Sequence, residues 1–81
     1  MSTSNVLREK LADLCHRQWS GWMEYLFSKG EFNDDGTWTM PREFVVRWTH
    51  QVETPYAELS PSERDSDRKE AGKFLAVIEE K

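Results

Sequence analysis

Apolar residues recur at spacings of three and four from the start of the chain. Leu7, Leu11, Leu14, Cys15, Trp19, Trp22, Met23, Leu26 and Phe27 fall on one broad face of a helix, which predicts a first helix over about 5–29. Gly21 costs about 1 kcal/mol relative to alanine in a helix interior. It marks a kink or a close backbone approach beside the tryptophans, and Gly30 stands where a C-terminal cap belongs. The period then changes. Asp34-Asp35-Gly36 between the β-capable flanks Phe32 and Trp38 predicts a turn or short β-hairpin at about 31–39. A calcium loop does not fit the same acids, which lack the alternating ligands and distant glutamate of such loops.

Pro41 suits the first turn of a second helix, about 41–53, with Thr39 or Met40 as its cap. Phe44, Val45, Trp48 and Val52 supply its apolar face, which places Trp48 in the core, and Pro55 stops it. After the connector Thr54–Leu59, Ser60-Pro61-Ser62-Glu63 joins a serine cap, a proline at the first helical position and a glutamate at the third. The third helix runs over about 61–79 with Ala71, Phe74, Leu75 and Ile78 on one face, while its first half is charged and solvated. The pattern is that of a mainly α single domain, residues 1–81, of three helices and one small turn or hairpin.

Composition narrows this picture. A chain of 81 residues has surface for one core, and scaffolds of roughly 70–80 residues or fewer often need a staple. None is in view, because Cys15 is the only cysteine and no Cys/His set has zinc spacing. Stability must come from the four tryptophans, four phenylalanines, two tyrosines and the helical leucines, with homo-oligomerisation as another route. The first residues lack the pattern of a signal peptide, and no apolar run is long enough to span a bilayer. The expectation is a cytoplasmic protein with no membrane partner. The net charge of −4 argues against a nucleic-acid partner but leaves room for a small anion held by a few local cations.

Catalytic chemistry is sparse, so an enzyme is not expected, nor is a cofactor or metal. His16 and His50 fall on separate helices, and Cys15 is expected to be buried and inert on the apolar face. Aromatic groups near cations are the stronger signal. Trp19, Trp22 and Tyr25 follow one another by single turns, flanked by Arg17 and Lys29, and one helix face cannot bury all three equally. A groove of indoles rimmed by arginine suits a flat base and its phosphate, and it suits an anchor for a partner protein equally well.

Pro55-Tyr56-x-x-Leu59, followed by a short acidic start and Asp67-Arg68, resembles the ryanodine-receptor repeat domain. Leu11-Ala12 followed by His16-x-x-Trp19 resembles that family's opening helix, so the two motifs together cover about half the chain. The middle departs from the family, having the Asp-Asp-Gly turn and the helix around Trp48 in place of a Gly-Trp-x-Tyr-Gly element. The chain is also similar to short phage and prophage proteins with a Trp-Met-x-Tyr-Leu-Phe-Ser stretch, here Trp22–Ser28. The resemblance implies a non-enzymatic module in a bacterial host. It would be a phage or prophage sponge that sequesters a nucleotide-derived immune signal, with Trp19, Trp22, Tyr56, Arg64 and Arg68 near the ligand. His16, Pro55, Leu59 and Asp67 would then be structural, with His16 bonded to the Pro-Tyr loop. Two alternatives stand beside it, a protein-interaction module acting on a host protein and a structural accessory protein.

Overall fold

The computed structural model describes residues 3–80. α1 spans Thr3–Ser28, β1 Glu31–Phe32, β2 Trp38–Thr39, α2 Arg42–Glu53 and α3 Pro61–Glu79, with a single 3₁₀ turn at Tyr56–Glu58. The mainly α reading with a hairpin between the first two helices is therefore what the chain adopts.

α1 and α3 lie side by side and antiparallel, since Lys10 meets Glu80 near one end at 3.2 Å and Gln18 meets Glu70 further along. Their seam follows the three-and-four spacing. Leu14 is 5% exposed and Gln18 is buried one turn on, with Leu7, Leu11, Phe74 and Val77 half-buried. A buried amide needs partners, and the Gln18 Nε2 donates to Glu70 Oε2 at 2.5 Å. Lys73 donates to the other Glu70 oxygen at 3.1 Å. Lys73 first, and Gln18 after it, hold the Glu70 carboxyl below its ordinary value.

The start of α3 is fixed by Ser60. Its Oγ accepts from the Glu63 N–H at 3.3 Å while the Glu63 carboxylate accepts from the Ser60 N–H at 3.2 Å. Pro61 occupies the first helical position, where a missing N–H costs nothing. Ser60→Ala is expected to lower stability by about 1 kcal/mol, read as a shift of the urea midpoint at unchanged slope.

The hairpin packs against the end of α1. Gly36 has φ of +87° and closes the Asp-Asp-Gly turn, and the Asp35 carboxylate accepts from the Thr37 N–H and hydroxyl at 3.0 and 2.6 Å. Trp38 folds back onto α1, its indole N–H donating to the Phe27 carbonyl at 3.1 Å and its ring meeting Phe27 edge-on. Gly30 is not a left-handed cap, because its φ is not positive. Its hydrogen is the only substituent that fits under the Trp38 ring and the Thr39 carbonyl.

Four further expectations change. No atom lies within 4 Å of where a Cβ on Gly21 would stand, so Gly21 admits no close neighbour and sits inside the unbroken span of α1. α2 is capped by neither Thr39 nor Met40, since Pro41 is its N-cap and no side chain closes it. No residue of α2 is buried. Trp48 and Phe44 are half-buried against each other, and Val45 and Val52 are exposed, because α2 stands off from the α1–α3 pair. Cys15 is exposed, because α3 covers the stripe through Leu14 and Gln18 and leaves the next position uncovered.

Acid should weaken the fold. Glu63 and Glu70 are held below their ordinary 4.5, and Asp35 below 3.8, by hydrogen bonds to Ser60, Lys73 and Thr37 respectively. A carboxyl with a depressed folded pKa contributes stability fully above its unfolded value and loses it as pH falls through the folded one. The melting temperature is therefore expected to be flat above about pH 5 and to drop as the pH falls below 4.5 and then 3.8, as followed by circular dichroism.

Candidate functional site

α2 leaves a broad open cleft between itself, the second half of α1 and the first half of α3, with a volume of about 1210 Å³. Trp22, Met23 and Leu26 line it from α1, and Val46, Arg47, Trp48 and His50 from α2. The ring of Tyr25 lies 6.2 Å from that of Trp48, which ties α2 to α1 at the cleft floor. These positions share the cleft because α1 places residues 22 and 26 one turn apart on one side, while α2 places 46 and 50, and 47 and 51, one turn apart on the other.

The two walls differ in charge. α2 brings Arg47 and His50, and α3 brings Glu63, Asp67 and Glu70. Two of those acids are already engaged. Glu63 is held low chiefly by Ser60, with smaller contributions from His50 and Arg47, and Glu70 by Lys73 and Gln18. The Arg47 guanidinium lies 5.8 Å from the centre of the Phe44 ring and makes no salt bridge among the described residues. His50 is tied loosely to Thr54, whose hydroxyl lies 3.4 Å from its Nδ1 and donates to the His50 carbonyl at 2.6 Å. The cleft thus offers two indoles for stacking and, on α2, a guanidinium and an imidazole, faced by three carboxylates of α3.

The residues singled out in the sequence do not all meet there. Trp22 and Asp67 line the cleft, whereas Trp19, Tyr56, Arg64 and Arg68 do not. Trp19 and Trp22 are 56% and 58% exposed, so neither indole is packed away. His16 stacks on Trp19 with ring centres 6.2 Å apart and makes no bond to the Pro-Tyr loop, which corrects that expectation. Pro55 caps the 3₁₀ turn, and Leu59 ends it as one of the two buried apolar residues among those described, at 9% exposure.

Tyr56, Arg64 and Arg68 form a separate group at the head of α3. Arg68 pairs with Asp65 at 2.8 Å rather than with Asp67, and Asp65 first and Tyr56 second push its pKa further up. Arg64 is half-buried, and its Nε is buried with no hydrogen-bond partner. A buried donor without an acceptor costs roughly 1–3 kcal/mol. Arg47 and His50 are the cleft residues that sequence reasoning missed. Their only signal was their position on either side of Trp48, which became meaningful once α2 was placed opposite Trp22.

No family model, curated protein or solved structure matches this chain. Among the described residues there is no group of three His, Cys, Asp or Glu side chains able to hold a metal ion. No helix among them is long and apolar enough to cross a membrane.

Proposed function

We propose that the chain is a non-enzymatic binding protein that takes a nucleotide-type ligand in the cleft between α1, α2 and α3. The observation that carries this reading is the meeting of Trp22 and Trp48 with Arg47 and His50 around a space that the chain's own side chains leave open. Indole faces stack any base at about 1–3 kcal/mol each, and a guanidinium adds charge-assisted bonds to phosphate.

Holding without conversion fits the residues present. Neither histidine has Cys15 for a partner, since Cys15 is exposed elsewhere on α1 while His16 stacks on Trp19 and His50 faces Thr54. In keeping with the resemblance to ryanodine-receptor repeats, the ligand would be a nucleotide-derived signal sequestered by a phage or prophage protein. The test is a thermal-shift screen against cyclic dinucleotides, ADP-ribose derivatives and adenine nucleotides. A ligand at a hundred times its dissociation constant stabilises by about 2.7 kcal/mol, so an unmoved melting curve with every member of the set sinks the reading.

The exposure of Trp19, Trp22 and Tyr25 favours a second reading, a protein-interaction module gripping a host factor through these rings. Pull-down from host lysate with the wild-type chain and with Trp19→Ala separates the two, because Trp19 lies outside the cleft.

A further inference from the structure

We propose that a second copy of this chain covers the apolar side of the α1–α3 pair, so that the protein is a homodimer. The two sides of that pair differ in kind. Glu9, Lys10, Asp13 and Arg17 of α1 share one shallow depression with Val77 and Glu80 of α3, which defines the charged side. Each residue turns about 100° from the last, and the helices run antiparallel through Lys10–Glu80 and Gln18–Glu70. The opposite side therefore carries Cys15, Trp19 and Trp22 from α1, and Ala71, Leu75 and Ile78 from α3. Both indoles are more than half exposed, as are Leu75 and Ile78 at 55% and 53%. Arginines stand at the ends of this side, Arg8 at one and Arg64 and Arg68 at the other.

The area of uncovered surface points to a second copy. A folded monomer of 9.6 kDa exposes about 5,100 Å² by the scaling of surface with mass, and this chain exposes 6822 Å². The excess is about 1,700 Å² per chain, to which both this face and the open cleft beside α2 contribute. The shape agrees. The radius of gyration is 16.6 Å and the extents are 47 × 36 × 16 Å, against about 12 Å for a compact chain of 81 residues.

Burial argues for a permanent partner of the same kind. Leu14 and Leu59 are the only buried apolar residues among those described. A chain with so little interior needs its cover at all times, and another copy is the partner always present when it is made. A patch of mostly uncharged side chains is also complementary to itself across a two-fold axis.

Sedimentation velocity across a wide concentration range, with maleimide labelling of Cys15 in the same samples, tests this. The expected result is a species of twice 9.6 kDa whose Cys15 labels about tenfold more slowly than on dilution to the monomer. Leu75→Glu is expected to shift the equilibrium to monomer or unfolded chain, while Glu9→Lys on the charged side leaves the dimer intact. A 9.6 kDa species at every concentration, with Cys15 labelled at the rate of a free thiol, overturns the proposal. So does a dimer in which Cys15 labels fast and Leu75→Glu still pairs. Trp22 stands on the edge shared by this face and the cleft, so these outcomes are read without ligand and rest on Cys15 and Leu75, which do not line the cleft.

Discussion

Leu14→Ala is expected to lower stability by about 2–5 kcal/mol, the cost of removing a buried leucine and leaving a cavity behind it. Leu14 is 5% exposed on the α1–α3 seam, one turn before the Gln18–Glu70 bond that joins the two helices. A chain of 81 residues has a total stability of only about 4–12 kcal/mol. The variant should therefore lose helical circular dichroism at physiological temperature or unfold at a much lower urea concentration. Leu14→Met keeps the volume and is expected to cost less than about 1.5 kcal/mol. Equal losses from the two substitutions would show that the seam is not packed around this side chain.

Gly30→Ala is the second large effect, expected at about 1–3 kcal/mol. A Cβ at Gly30 falls onto the Trp38 ring and the Thr39 carbonyl, one of them backbone that cannot swing aside. To make room the indole must leave Phe27, which breaks the 3.1 Å bond to the Phe27 carbonyl and the edge-on ring contact together. A red shift of tryptophan emission should accompany the loss of stability. Gly21→Ala supplies a control of opposite sign. No atom lies within 4 Å of its new Cβ, and the helix interior gains up to about 1 kcal/mol. Stabilisation by both substitutions would show that Trp38 does not pack over Gly30.

The sequence made legible those features whose causes are local. Ser60-Pro61-Ser62-Glu63 announced the start of α3, and Asp34-Asp35-Gly36 the hairpin, because each depends on residues within four positions. Periodicity located the apolar face of α1 but not what would cover it. Cys15 and Leu14 read alike in that pattern, and only the arrival of α3 against Leu14 and Gln18 separated them. Trp48 was read into a core by the same reasoning, yet α2 packs through a few ring contacts and buries nothing. The reason for Gly30 lay eight residues on, in Trp38. For the site, periodicity showed that one face cannot bury Trp19, Trp22 and Tyr25 equally but not which would stay out, and in the structure all three are more than half exposed. The pairing of Trp22 with Arg47, Trp48 and His50 was not, since it depends on how α2 stands relative to α1.

Ligand binding in the cleft is tested most directly by calorimetric titration of the wild-type chain and Arg47→Ala with ADP-ribose and with a cyclic dinucleotide. Saturable binding of at least one of them to the wild type is expected. Arg47→Ala should bind about ten- to a hundredfold more weakly, since a charge-assisted hydrogen bond contributes about 1.5–3 kcal/mol. The ligand should be recovered unchanged. Heats no larger than those of dilution for both ligands, or binding that Arg47→Ala leaves untouched, would contradict it.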